Sequence, residues 1–446
     1  MSARLRETRI AALFAPVPRR SLRPYEFAII ASLALAGVLW MTWSHTWQVT
    51  LNDYGSEALG PLSALLHAHV LAFLRGAPAY GPSLELRAPF ALIASLAHGT
   101  ELLVYRFSAL PCLLALAALA VWIAPQLRAA GRSWLSIALT LVVCVLNPIT
   151  YYAMALGHPE EVLGAVLCVA AVLAALRGHS TWAGVLLGLA IANKEWGVIA
   201  FGPVLVALPG QRLRATLIAG AVATAFLGPI MLAAGSVRSA TARVTVSDGG
   251  SYFYTQQLWW FFGAHGHWLP SMRGQLMPGY RVPPSWLQGR AHTLIAWIGL
   301  PLSLLAARRR MPRESALALL ALLMLLRCGL DPWDLVYYPL PFIVALLSWE
   351  TVVKGRAPVA AALATIAAYA IFERLPLYLS ANQEALAFTI PCVLGLLALS
   401  RTVYRRPAGE PQSTTSSSFV NWLRRRGSLP VTTVRSSIRT PSVSGR

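Results

Sequence analysis

Residues Thr181–Leu208, TWAGVLLGLAIANKEWGVIAFGPVLVAL, are apolar except for Asn193-Lys194-Glu195 at their middle. As one membrane span they would set two adjacent charges at the bilayer centre, at about 2.5–3.5 kcal/mol each. A single span would also turn Arg308-Arg309-Arg310, Lys354 and Arg356 outward, against the preference of basic residues for cytoplasmic loops. Two short helices meeting at Lys194 avoid both costs. Each half holds roughly 13 residues and reaches about 20 Å. The Lys194 turn is then expected slightly below the outer surface, sheltered by protein. A re-entrant pair gives the same parity.

The rest of the chain agrees with a membrane solvent. Hydrophobic residues make up 57% of the sequence and charged residues 12%, where soluble domains carry about 25% charged. Apolar runs of about 20 residues recur, each long enough for a hydrocarbon core of roughly 30 Å. The expected fold is an all-α polytopic membrane protein. The net charge of +20 does not point to nucleic acid, because the basic residues sit at span ends and in the tail. There they set topology and meet anionic lipid. Cys112, Cys144, Cys168, Cys328 and Cys392 form no CxxC pair, so neither a disulfide framework nor a metal site is expected of them.

Taken in order, residues 1–24 are a basic cytoplasmic segment, 25–400 a transmembrane domain and 401–446 a disordered cytoplasmic tail rich in Ser, Thr, Pro and Arg. The first span, about 25–45, lacks a small-residue cleavage site and is read as retained. The outer loop after it holds two weakly amphipathic pieces, near 58–74 and 84–97, expected to lie along the interface. Spans follow near 101–124, 134–152 and 161–176, then the two short helices. The last are near 214–234, 290–306, 314–329, 337–352, 357–372 and 384–400. That gives about twelve crossings with both ends cytoplasmic. Asp53, Asp248, Asp331 and Asp334, all the aspartates of the chain, then fall outside.

Four polar motifs interrupt the apolar pattern, and this topology gathers them on the outer face. They are Asn52-Asp53 with Glu57, Gly157-His158-Pro159-Glu160-Glu161, Asn193-Lys194-Glu195, and Asp331-Pro332-Trp333-Asp334 with Tyr337 and Tyr338. Singly each reads as a cap or turn: Pro159 and Pro332 start helices well, and Asp331 suits an N-cap. Together they read as a site. Lys194 is one of only two lysines, Lys354 being the other, and a compact ammonium beside an apolar wall suits a phosphate. The aromatic run from Tyr252 to Trp268 reads either as an interfacial belt or as a platform for sugar rings or lipid. The HxH pairs His67/His69 and His265/His267 are weak as metal ligands.

A first span followed by an aspartate in the first outer loop resembles the layout of GT-C glycosyltransferases, membrane enzymes that use polyprenyl-phosphate sugars. Ala79-Tyr80-Gly81, Gly157–Glu161 and the run from Trp182 through Gly188 to Lys194-Glu195-Trp196 are similar to glycosyltransferase family 87. So are Arg327-Cys328, Asp331–Asp334 and Tyr337-Tyr338. That family includes polyprenyl-phosphomannose-dependent mannosyltransferases. The resemblance covers roughly residues 25–400. It departs from the family at Pro339, where a histidine is expected after the two tyrosines, with His158 as its possible substitute.

The resemblance implies an inverting glycosyltransferase at the outer face of a bacterial plasma membrane. Its donor would be a polyprenyl phosphate carrying one sugar, most naturally mannose, and its acceptor a lipid or glycan. Asp53 would be the catalytic base, Lys194 and Arg327 would face the donor phosphate, and Glu57, His158, Asp331 and Tyr337 would hold sugar and acceptor. No cofactor and no metal are required, since cationic side chains cover a monophosphate leaving group. The alternative from another class is a transporter or flippase of lipid-linked sugars, which should show midplane charges and repeat symmetry. The polar clusters here gather on one face, and no repeat is visible. A membrane acyltransferase would centre on His158.

The topology is directly measurable. Gly55→Cys and Leu335→Cys should react with an impermeant thiol reagent in intact cells, and Arg310→Cys should not. Labelling at position 310 would overturn the division of 181–208.

Overall fold

The computed structural model describes residues 18–43, 47, 52–78, 80–233, 255–265, 281, 282, 284, 287, 290–309, 311–331 and 334–405. Expectations for residues 1–17, Ala79, Asp248, Tyr252–Tyr254, His267, Trp268, Arg310, Pro332, Trp333 and the tail after Arg405 lie outside these residues. The division of 181–208 is plain in the backbone. Helix α9 (Ser180–Asn193) ends at Lys194, which is extended, with φ −157° and ψ 134°. A tight turn, Glu195–Ala200, then leads into α10 (Phe201–Ala207).

The ends of these pieces show that the chain runs to one end of the bundle and returns to the other. Helix α8 (Pro159–Leu176) starts beside Lys194, whose Nζ is 3.3 Å from Glu160 Oε1. Its last turn and the end of α10 share one cation at the opposite end. Arg313 Nη2 donates to the carbonyls of Ala175 and Leu176 at 3.1 and 3.0 Å, and its Nε donates to Ala207 O at 2.5 Å. An arginine there satisfies carbonyls that have no partner within their helices.

The remaining helices follow the apolar runs. They are α1 (Pro24–Trp43), α5 (Glu101–Ala129), α6 (Trp134–Val145), α7 (Pro148–Ala155) and α11 (Arg212–Ala233). After them come α12 (Ala291–Arg308), α13 (Ala316–Leu330), α14 (Leu340–Ser348), α15 (Val359–Tyr369) and α16 (Ala381–Tyr404). Among the described residues seven stretches are long and apolar enough to cross a membrane: α1, α5, α6–α7 together, α8, α11, 359–377 and α16. The apolar run near 134–152 breaks at Asn147-Pro148, where Asn147 caps the new helix by accepting from Ile149 N at 2.9 Å. Antiparallel Ala264–His265 and Arg281–Val282 make the one short strand pair among the described residues.

The first loop holds three helices rather than two pieces: α2 (Leu59–Leu66), α3 (Val70–Gly76) and α4 (Gly81–Leu96). Ala68, at φ 60°, breaks the first piece, because a helix cannot continue through a left-handed residue. The second piece has two faces, with Leu92, Ile93 and Leu96 exposed on one of them. α4 packs against α5 and buries Arg87.

Helices α8 and α13 form the centre. α13 is buried on nearly every side, as expected of a helix apolar all round. α8 packs against α5, α9 and α14. The outer helices instead expose large apolar side chains, such as Leu33, Leu217, Leu363 and Leu394, as lipid-facing surfaces do. With no hydrophobic drive between helices in lipid, close approach is what joins them. Gly184 and Gly188 of α9 supply it. A Cβ at Gly184 would stand 2.6 Å from Ala215 O, and one at Gly188 would stand 2.7 Å from Ala219 O, both backbone atoms of α11.

Gly188→Leu should therefore push α9 from α11 and cost at least the ~1–3 kcal/mol of overpacking. The checks are the thermal midpoint and monodispersity of the detergent-purified protein. An unchanged midpoint would mean that this contact does not hold the pair.

Candidate active site

The site grows from two adjacent carboxylates at the head of α8. Glu160 and Glu161 are 0% and 1% exposed. A buried ion needs partners close by, because its desolvation costs several kcal/mol. Four elements supply them. Arg87 of α4 sets Nη2 3.7 Å from Glu160 Oε2. His158, just before α8, donates from Nδ1 to Glu160 Oε1 at 2.7 Å. Lys194 lies 3.3 Å from Glu160 Oε1 and 3.7 Å from Glu161 Oε1. Arg327 of α13 spreads across Glu161, with Nη1 3.3 Å from Oε2 and Nη2 3.4 Å from Oε1.

Uncharged groups hold the same frame. Asn193 Nδ2 donates to Glu160 O at 2.8 Å and its Oδ1 accepts from Ser83 Oγ at 2.7 Å, tying α8, α9 and α4 at one point. Trp196 Nε1 donates to Glu161 Oε1 at 3.0 Å. Its ring lies over Gly164, where a Cβ would stand 2.9 Å from the ring. Aromatic faces cover the cations: Lys194 lies 4.5 Å from the Tyr80 ring, and Arg327 lies 4.4 and 4.9 Å from the rings of Tyr338 and Trp196.

Asp53 is the exposed end of this network. The segment Asn52-Asp53 docks on the end of α7: Asp53 N donates to Leu156 O at 3.2 Å and Asn52 Nδ2 donates to Ala155 O at 3.1 Å. Gly157, at φ 94°, sits against the backbone nitrogen of Tyr54, where no side chain fits. This seating brings Asp53 Oδ2 to 2.8 Å from His158 Nε2, across 105 residues of sequence. The Asp53 side chain is 47% exposed, while that of His158 is 7%. His158 thus faces a carboxylate at each ring nitrogen. Only the imidazolium donates from both. Burial works against that charge, but the Glu160 carboxylate and the hydrogen bonds from Asp53 and Glu160 outweigh it and raise the imidazole to about 9.

The sequence-predicted residues divide by exposure. His158 and Lys194 meet at Glu160, Asp53 joins them through His158, and Tyr337 lies tilted against the His158 ring with centroids 4.8 Å apart. Glu57 is exposed and accepts from Tyr80 Oη at 2.7 Å. Lys194 keeps 13% of its side chain exposed and shares its charge with two glutamates. Arg327 is buried, with its guanidinium on Glu161. Asp331, also buried, caps the end of α13 through its N–H to Arg327 O at 2.9 Å. Beyond it, Cys328 Sγ donates to Asp334 at 3.3 Å. Burial, then the Asp331 charge, raise the Asp334 carboxyl well above the usual carboxylate range.

The sequence reading assigned no role to Arg87, Glu160 or Glu161. The available signal was a pair of adjacent acids opening an apolar helix, which is costly unless partnered. The described part of the aromatic run is divided between buried and exposed rings. Trp260 is buried with Nε1 on Asn382 Oδ1 at 2.9 Å, and Trp259 Nε1 donates to Leu330 O at 2.7 Å. Phe261 and Phe262 are exposed. Among the described residues no group of three or more His, Cys, Asp or Glu side chains is placed to hold a metal ion. The five cysteines are buried and free.

The family model described as glycosyltransferase family 87 matches residues 79–330, more than half of the chain. Those residues include Arg87, His158, Glu160, Glu161, Lys194 and Arg327, with Asp53 and Tyr337 outside them. No curated protein and no solved structure matches the chain.

The Arg327–Glu161 pair makes a stability prediction. Arg327→Leu leaves a buried carboxylate without its main partner and should cost about 3–5 kcal/mol. Adding Glu161→Gln should recover most of it in thermal unfolding of the detergent-solubilised protein. A double variant as unstable as the single one would mean that the loss is of packing, not of the ion pair.

Proposed function

The chain belongs to glycosyltransferase family 87, and from that premise we propose an inverting transferase that moves one sugar from a polyprenyl phosphate to a lipid or glycan acceptor. In this reading the sugar is mannose. About twelve crossings leave both chain ends in the cytoplasm, and the chemistry takes place at the outer face of a bacterial plasma membrane. The observation that carries it is Asp53: a half-exposed carboxylate at the end of an otherwise buried charge network that also contains Lys194.

The chemistry follows from those positions. The acceptor hydroxyl gives its proton to Asp53 as its oxygen attacks the anomeric carbon. The bond from that carbon to the phosphate oxygen breaks on the opposite face, and the electron pair leaves with the phosphate. An ammonium has three donors. The two glutamates take two directions at Lys194, and the third serves the growing charge on the leaving group. Arg327 acts on the phosphate through its hold on Glu161, which keeps that carboxylate from claiming all of Lys194. Glu57, exposed and oriented by Tyr80, is the carboxylate in reach of sugar hydroxyls. Asp331 and Tyr337 support the site from behind.

The test uses purified protein in nanodiscs with labelled polyprenyl-phosphate sugars. The parent should transfer mannose. Asp53→Asn keeps size and most hydrogen bonding but cannot take the proton, so transfer should fall by about 10²–10⁴, with donor binding intact. Transfer by Asp53→Asn at the parental rate would end the assignment of the base.

A further inference from the structure

Every charged group in the proposed mechanism has a task except one. His158 touches Asp53 and Glu160 at once and is too buried to hold a substrate broadly. Its ring is flanked as well as held at its nitrogens: Tyr337 lies tilted against it at 4.8 Å and Tyr80 meets it edge-on at 6.1 Å. A ring so fixed cannot turn away from either carboxylate.

We propose that His158 is a positioning residue which, as an imidazolium clamped between Asp53 and Glu160, holds Asp53 Oδ2 and leaves Oδ1 as the oxygen that takes the acceptor proton. The inference rests on the transferase reading above and adds a required charge to it. A carboxylate that is half exposed and free to rotate offers either oxygen to water. One whose Oδ2 is held at 2.8 Å by an N–H offers a single oxygen in a fixed direction. The proton balance is simple. The acceptor O–H bond breaks, its proton goes to Asp53 Oδ1, and the imidazolium keeps both of its own protons throughout. Asp53, the exposed member, then returns its proton to water. His158 touches neither donor nor acceptor and is not itself a catalytic residue.

The clamp depends on the charge state of the ring. Neutral imidazole donates from one nitrogen and presents a lone pair from the other. It would then turn a lone pair toward one of the two carboxylates. The groups facing His158 are Asp53 from the first loop, Glu160 on its own helix, Lys194 from the turn after α9, and the Tyr80 and Tyr337 rings. Arg87 lies behind Glu160. Of these, the two carboxylates favour the cation and Lys194 opposes it. The folded group is raised from its ordinary value near 6.5 to about 9. The clamp is therefore complete below the ordinary histidine range and is lost as pH rises through about 9.

The test is the pH dependence of turnover for the full chain in nanodiscs, read beside the ring itself. The wild type should lose kcat above an alkaline limb near 9, with donor KM steady. In His158→Gln, which can donate to Asp53 but does not titrate, kcat should drop about 10- to 100-fold and the alkaline limb should vanish. A variant retaining the limb would overturn the inference. If His158→Gln does not fold, Asp53→Asn serves instead. Nitrogen NMR of labelled histidine should show in the wild type one ring protonated on both nitrogens until about 9. In Asp53→Asn that ring should titrate lower, because one carboxylate has gone. An identical titration in the two proteins would overturn the clamp. These outcomes separate from failure of the function itself: no sugar transfer by the wild type sinks the transferase reading, whereas transfer with an unmoved limb sinks only the role of His158.

Discussion

Two carboxylates that cannot reach water hold this fold in register. Glu160 and Glu161 open the most buried of the long apolar helices. Left alone, either would cost several kcal/mol. Arg87, His158, Lys194 and Arg327 come from four separate places in the chain to meet them. Each arrival fixes an element: α4 is tied to α8 through Arg87, α9 is stopped at Lys194, and α13 is tied to α8. Removing a charge leaves another unpaired, so the network is cooperative and its geometry is specified more tightly than apolar packing alone would do.

The same constraint separates scaffold from chemistry. Most of the charge is spent within the protein: Arg327 lies on Glu161 beneath two aromatic rings, and Asp334 is held by Cys328 in a neutral-favouring environment. What faces outward is small. Asp53 is half exposed, Glu57 is exposed beside it in sequence, and Lys194 keeps a narrow exposed face. A site of this kind is preorganised, because the groups that act are held by groups that cannot move without exposing a charge to hydrocarbon.

The sequence made part of this legible. The break at Lys194 could be argued because charge at the centre of an apolar run has a known cost and reverses every later loop. The shared end with Arg313 is the structural counterpart of that argument. The gathering of Asp53, His158 and Lys194 followed from the same parity. Arg87 was not legible, since in the pattern LELRAPF it has the look of the polar face of an interfacial helix. Depth, not periodicity, decides its role, and depth comes from its partner. Glu160 and Glu161 read as ordinary acids at a helix N-terminus, because nothing local shows that the next helix covers them. The aromatic loop was legible in composition only. Trp259 and Trp260 suit a ligand platform by composition, yet their indole N–H groups are spent on Leu330 and Asn382.

The central claim is that sugar transfer takes place where Asp53 and Lys194 share one network. It is tested most directly by an electron cryomicroscopy structure of the Asp53→Asn protein trapped with an intact polyprenyl-phosphate mannose. The account predicts the donor phosphate about 3 Å from Lys194 Nζ, with the anomeric carbon turned toward position 53 and room between them for an acceptor oxygen. A donor headgroup bound at the opposite end of the bundle, beside Arg313, would contradict it.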